Sequence, residues 1–182
     1  MSPPSLYERA LGNDAYTRLP LAVQRFHRLA GLHVFAGQVR TYAPKSSLSR
    51  LLARCLGTPR QASQGQLRFE LQSSPEREQW TRSFPTQTMR STLTLERNLI
   101  AERLGAATLR FRLRASEHGL TMELDSLSFL GIPCPRWLLP QVLAVESGQA
   151  DALHFKVRAA LPLVGEVAHY EGYLDLDREH AR

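Results

Sequence analysis

Most of the chain beyond residue 66 alternates apolar and polar residues with a period of two. In the segments LRFELQ, TLRFRLRA and LHFKVRAA, every second residue is apolar and most of the residues between them are charged or polar. Such alternation is typical of antiparallel strands with one buried and one solvated face. The pattern predicts ten strands, at 32–42, 67–72, 77–84, 87–95, 98–104, 108–115, 119–130, 141–147, 153–160 and 165–176.

The spacing of these strands favours a closed or strongly curved sheet. Short turns such as EHG at 117–119 and SGQAD at 147–151 connect strands in meander order. A sheet of about ten strands rarely stays open and flat, because the strand twist accumulates. The apolar phase changes between Leu124 and Leu127, so a β-bulge is predicted near Asp125 and Ser126.

Three short helices are predicted within the first 60 residues, the third of them after the first strand. Ser5 and Glu8 have the spacing of a capping box, and a second helix can run from Pro20 to Gly31. In SSLSRLLARCLG the apolar residues, Cys55 among them, recur at helical spacing and are predicted to face the core.

The predicted fold class is therefore α+β and mainly β. We expect an antiparallel barrel or strongly curved meander sheet of about ten strands with two to three N-terminal helices. The 182 residues are interpreted as a single domain, with a helical front containing one strand at 1–60 and the antiparallel meander at 61–177.

Composition and charge narrow the range of partners. The net charge is +6 and the sequence pI is about 9.9. The arginines alternate with apolar residues along the predicted strands and lie mainly on their solvated faces, so no nucleic-acid site is expected. The sequence contains no apolar run of about 20 residues, so no transmembrane segment is predicted. The start MSPPSLYERALGND lacks the pattern of a signal peptide, and the two cysteines, Cys55 and Cys134, lack metal-ligand spacing. We therefore expect a cytoplasmic protein with reduced thiols.

Three predicted strands place charge on the apolar face. Arg82 shares one side of its strand with Trp80 and Phe84, and Glu102 and Glu146 share sides with aliphatic residues. A buried charge must pair, take water or hold a ligand, because an isolated one costs several kcal/mol. Three interpretations stay open: a ligand site with an anion-binding arginine, an internal salt bridge, or strand faces assigned one residue out of phase.

The segment GIPCPRWLLP, at 131–140, is too rich in proline to be helix or strand. It is interpreted as a rigid crossover that closes one mouth of the barrel, with Ile132, Trp137, Leu138 and Leu139 against the core or a ligand. Cys134 has no strong thiolate-stabilising neighbour and is not predicted to be a nucleophile.

The last predicted strand carries Tyr170 and Gly172 on one face. Gly172 indicates either a close approach of backbone or a ligand lying over the strand. Tyr170 could donate a hydrogen bond to a ligand or serve as a core residue with a satisfied hydroxyl.

Four common enzyme motifs do not occur in the sequence. The motifs GxSxG, GxGxxG and HExxH and the P-loop are missing, and the histidines are scattered. We therefore predict no catalytic residue, no metal and no cofactor. Glu102 and Glu146 are the candidates for acid–base chemistry if there is any, and His27 is interpreted as a core histidine.

The motifs LYERALG, LPLAVQRFH, WTRSF, ERLG, LGIPCPRWLLP and LPLVGEVAHYEGYL together resemble a bacterial family, domain of unknown function 4166. That family occurs alone or fused C-terminal to saccharopine-dehydrogenase-like or short-chain reductase domains, so the resemblance implies a reductase partner but no established activity. The resemblance extends from about Leu6 to Leu174, and Cys134 departs from the aliphatic residue expected there. Matching positions are His27, Trp80, Arg82, Phe84, Glu102, Gly105, Gly131, Pro133, Pro135, Pro140, Glu146, Pro162, Gly165, Tyr170 and Gly172.

Two functions follow from these observations. The first is binding of a hydrophobic, lipid-like small molecule with an acidic head group inside a barrel. The alternative is a non-catalytic accessory domain for a reductase or a membrane-associated complex, with a filled interior. The predicted ligand-binding residues are Trp80, Arg82, Phe84, Glu102, Trp137, Glu146 and Tyr170.

Overall fold

The computed structural model describes residues 3–177, so the first two and last five residues of the predicted domain 1–182 lie outside the described residues. The helices are α1 (Leu6–Leu11), α2 (Asn13–Tyr16), α3 (Leu21–His27) and α4 (Ser47–Leu56), and a single 3-10 turn spans Arg136–Leu138. The strands are β1 (Gly31–Thr41), β2 (Ser63–Ser73), β3 (Arg77–Ser83), β4 (Thr88–Glu96), β5 (Leu99–Leu104), β6 (Ala107–Ser116), β7 (Gly119–Phe129), β8 (Ile132–Pro133), β9 (Gln141–Gln149), β10 (Ala152–Leu161) and β11 (Gly165–Asp175).

Ten of these strands form a closed antiparallel barrel, as the alternating pattern predicts. Strands β1 to β7 pair in sequence order, β7 continues to β9, and β9 to β11 complete the ring. The closure is the pairing of β1 with β11, which runs from Ala36 opposite Asp175 to Thr41 opposite Tyr170. The two-residue β8 pairs with the end of β7 and is not part of the ring.

The predicted bulge lies in β7. Leu124 is opposite Phe111 and Ser126 is opposite Arg110, so Asp125 is the extra residue in the ladder. The bulge restores the inward direction of the apolar side chains beyond it, which is why the sequence pattern changes phase there.

Gly172 marks a close approach between the two strands that close the barrel. A Cβ atom built on Gly172 would overlap the backbone of Gln38 in β1, and one built on Gly37 would overlap the backbone of Tyr173 in β11. Of the two interpretations of Gly172, the structure shows the close approach of backbone.

The helices cover opposite ends of the barrel. We call the end covered by α1, α2 and α3 the plugged end; the β2–β3, β4–β5, β6–β7 and β9–β10 turns lie there. At its centre, the ring of Phe26 from α3 packs against Phe35, Phe69 and Trp80, with ring centroids 5.6 to 6.0 Å apart. We call the other end the mouth; it carries α4, the loop at 130–140 and the β10–β11 hairpin.

The prediction that the apolar face of α4 packs inward is wrong in part. Cys55 is exposed, and Leu48 and Leu51 are about half exposed. The fully buried residues of this helix are instead Ser49 and Ala53.

Contacts at the two ends of α4 determine which face of this helix is turned toward the barrel. The Ser46 hydroxyl donates to the carbonyl of Val164, and the carbonyl of Cys55 accepts from the amide of Ala106. These contacts turn part of the apolar stripe to the outside of the mouth.

Within residues 3–177, no helix is long and apolar enough to cross a membrane.

Candidate functional site

The barrel interior contains a cavity of about 370 Å³. It extends from Phe26 at the plugged end to Leu56 and Leu138 at the mouth, and its walls are almost wholly aliphatic and aromatic. Pockets that bury small molecules are usually about 300–1,000 Å³ in volume and mostly apolar, so the cavity has the size and character of a ligand site.

Six of the seven residues predicted to bind a ligand line this cavity, namely Trp80, Arg82, Phe84, Glu102, Glu146 and Tyr170. The strand faces are therefore in the predicted phase, and the interpretation that the three charges point into water is wrong.

The prediction that Trp137 lines the cavity is wrong, because its side chain is 73% exposed. The 3-10 turn at Arg136–Leu138 directs Leu138 into the cavity and Trp137 outward. Ile132, predicted to press on the core, is likewise exposed. The loop lies at the mouth as predicted, but Ile132 and Trp137 face away from the barrel.

Arg82 has a loosely satisfied guanidinium. Its Nη1 donates to the Ser91 hydroxyl at 3.1 Å, and its Nη2 lies 3.6 Å from Oε1 of Glu102, which is beyond hydrogen-bond length. The guanidinium carbon lies 4.7 Å from the centre of the Trp80 ring. Within residues 3–177, the hydrogen bond to Ser91 is the one that Arg82 makes, although a guanidinium carries five N–H donors. The group is charge-paired but keeps donors available.

Glu146 forms a second buried pair at the base of the cavity. One of its oxygens lies 2.6 Å from Nε2 of His27, whose side chain is completely buried. The ring of Tyr7 stacks on His27 with centroids 3.6 Å apart. The prediction that His27 is a core histidine is confirmed by its burial, but no sequence pattern points to its partner, 119 residues away.

Tyr7 and Tyr16 allow a matched test of buried hydroxyl groups. Both side chains are fully buried, but the Tyr16 hydroxyl donates to the carbonyl of Gln24 at 2.7 Å, whereas that of Tyr7 has no partner among residues 3–177. Tyr16→Phe is expected to lower the free energy of unfolding by about 1 kcal/mol, and Tyr7→Phe to leave it unchanged or raise it. Urea denaturation measures both. Equal losses would show that the Tyr7 hydroxyl is satisfied in solution.

Glu78 is a buried carboxyl that the sequence analysis overlooked. It accepts a hydrogen bond from Nε1 of Trp80 at 2.9 Å and is almost fully buried. Burial raises the pKa of Glu78 above its ordinary value, while His27 and the hydrogen bond from Trp80 oppose that rise. Glu78 lies two residues before Trp80 on the same face of β3, so the period that revealed Arg82 could also have revealed it.

The raised pKa of Glu78 makes a prediction for stability. Between the ordinary glutamate pKa of about 4.3 and the raised pKa of Glu78, the folded protein still binds a proton that the unfolded chain has released, so stability falls as pH rises through this window. Glu78→Gln keeps a carbonyl acceptor for Trp80 and has no such proton. The variant is therefore expected to gain stability relative to wild type between pH 4 and pH 7 in urea denaturation. The exposed Glu76→Gln is the control and should show no such trend; a relative loss in Glu78→Gln would contradict the prediction.

Tyr170 lies close to the charges of the cavity wall. Its ring packs edge-to-face on Phe84 with centroids 5.3 Å apart. Burial raises the pKa of Tyr170 to about 12, and the positive charge of Arg82 works against that rise. The hydroxyl is therefore protonated at neutral pH and able to donate.

Within residues 3–177, no group of three or more His, Cys, Asp or Glu side chains is arranged so that it could hold a metal ion.

Comparisons with known proteins identify a family but no activity. A search of curated proteins found none similar to this chain. The crystal structure of Rv2717c from M. tuberculosis is similar at a TM-score of 0.43 and 10% identity, covering 86% of this chain and 98% of that chain. The family model described as Domain of unknown function (DUF4166) matches residues 19–174. Because that match spans most of the sequence, the chain belongs to the DUF4166 family.

Proposed function

We propose that the barrel binds an apolar small molecule that carries an acidic head group. The observation that supports this most is an apolar cavity of about 370 Å³ into which one guanidinium presents unused donors. The alternative of an accessory domain without a ligand predicted a filled interior, and the cavity argues against it.

The apolar walls would supply most of the affinity. Each methylene group moved from water into such an environment contributes about 0.8 kcal/mol. The ligand body would lie between Phe26 at the base and Leu56 and Leu138 at the mouth, among side chains that are already buried or half-buried. An extended alkyl chain or a small ring system would fit in this space.

The polar residues would fix the orientation of the ligand. The planar fork of Arg82 can donate two parallel hydrogen bonds to a carboxylate, and the protonated hydroxyl of Tyr170 can donate another. Glu102, with an oxygen 3.6 Å from Nη2 of Arg82, already places one carboxylate beside this guanidinium, so the site suits a head group with no more than one acidic function.

Native mass spectrometry of freshly purified protein tests this function. We expect a bound mass that is displaced by fatty acids. Ala159→Phe, which fills the lined side of β10, should reduce ligand occupancy, and Ala160→Phe on the next residue, outside the lining, should not. A clean unliganded mass together with no uptake of any fatty acid would refute the proposal.

A further inference from the structure

We propose that the mouth of the barrel docks on the surface of an anionic lipid bilayer. The proposal builds on the proposed function by naming the source from which the cavity would take its apolar ligand. It also stands on separate observations, namely the exposed apolar residues, the charges and the connections between segments around the mouth.

Six large apolar side chains around the mouth are half exposed or more. They come from α4, from the loop at 130–140 and from the β10–β11 hairpin, where Leu163 is fully exposed. We call this set the mouth patch: Leu48, Leu51, Leu130, Ile132, Trp137 and Leu163.

Hydrogen bonds tie the segments that carry the mouth patch into one surface. Ser46, before α4, donates to the hairpin at Val164. The end of α4 accepts, at the Cys55 carbonyl, from Ala106 in the β5–β6 turn. The carbonyl of Ala106 in turn accepts from the amide of Leu130. Exposed apolar patches of this kind mark protein or membrane contacts more often than free surface.

The connecting segments at the mouth carry charge of one sign. The connections at this end, at 42–62, 84–87, 105–106, 130–140 and 162–164, contain no Asp or Glu. Their basic residues are Lys45, Arg50, Arg54, Arg60 and Arg136. The connections at the plugged end, by contrast, contain the acidic residues Glu76, Glu117 and Asp151. Basic residues beside exposed leucine and tryptophan complement an anionic headgroup layer with an apolar layer beneath it.

The position of the patch favours a bilayer over a protein partner. The patch lies at the end of the barrel where Leu56 and Leu138 line the cavity. An apolar ligand that left a bilayer there would enter the barrel without crossing water. With no membrane-spanning helix in residues 3–177, the contact would be peripheral.

Vesicle flotation with the full chain tests the docking. We expect binding to vesicles of phosphatidylcholine and phosphatidylserine, and at least tenfold weaker binding to phosphatidylcholine alone. Trp137→Ser combined with Leu163→Ser should weaken binding at least tenfold, and Arg50→Gln and Arg136→Gln about fivefold each. Raising the salt concentration should weaken binding in parallel.

Matched substitutions at the plugged end provide the control. Leu21→Ser, at a leucine that is also largely exposed, and Arg18→Gln should leave vesicle binding unchanged. No binding to anionic vesicles at low salt, or equal losses in the two sets of variants, would overturn the proposal. Capture of a protein through the mouth patch without vesicle binding would also overturn it and would favour the accessory-domain function.

The cavity variant separates this proposal from the proposed function. Ala159→Phe changes the interior and leaves the mouth patch intact, so it should bind vesicles while losing ligand. Vesicle binding by a protein that never carries a ligand would refute the proposed function alone. Ligand binding without vesicle binding would refute the docking alone.

Discussion

Arg82→Met is expected to lower the free energy of unfolding by about 3–5 kcal/mol at neutral pH, measured by urea denaturation. Arg82 is 8% exposed and its Nη2 lies 3.6 Å from Oε1 of Glu102, so removing the guanidinium leaves a carboxylate in an apolar cavity without compensating charge. The loss is large because the remaining charge stays desolvated, and the hydrogen bond to Ser91 is lost as well.

The double variant Arg82→Met with Glu102→Leu is the control for that prediction. Replacing both members of a buried pair with apolar residues is often neutral, so the double variant should recover most of the lost stability. It should also lose any preference for acidic ligands. A double variant no more stable than Arg82→Met would show that the pair does not carry the effect.

Phe26→Ala is expected to lower the free energy of unfolding by about 3–5 kcal/mol. Phe26 is 1% exposed and its ring contacts Phe35, Phe69 and Trp80, so truncation leaves a void where α3 meets the barrel. The void would be continuous with the cavity, because Phe26 lines its base. Thermal or urea denaturation measures the loss.

Leu21→Ala in the same helix separates packing from helix formation. Leu21 is 82% exposed, so its truncation should change stability by less than about 0.5 kcal/mol. If Phe26→Ala cost no more than Leu21→Ala, α3 would not be a packed plug of the barrel.

The strands and the inward-facing charged residues could be predicted, because both follow from the alternation of apolar and polar residues along each strand. The alternation along β2, β6 and β10 identifies which residues face inward, and the bulge at Asp125 shows as a change of phase. Arg82, Glu102 and Glu146 break the apolar face of their strands, so their burial followed from the same pattern. Glu78 obeys the same rule and was overlooked.

The errors concern features that the periodicity of apolar residues does not determine. The apolar stripe of α4 was predicted correctly as a stripe, but hydrogen bonds to the hairpin and the β5–β6 turn decide which way it faces. Trp137 lies in a proline-rich loop, where no period relates neighbouring side chains. The pairing of His27 with Glu146 depends on the whole chain, because it joins α3 to β9.

Calorimetric titration with dodecanoic acid and its methyl ester tests most directly whether the cavity binds an apolar molecule by its acidic head. The wild-type protein should bind one acid per chain, at least tenfold more tightly than the ester, which corresponds to about 1.4 kcal/mol. The Arg82→Met/Glu102→Leu variant should bind acid and ester alike. Absence of binding, or equal affinity for acid and ester in the wild-type protein, would contradict a head-group site at Arg82.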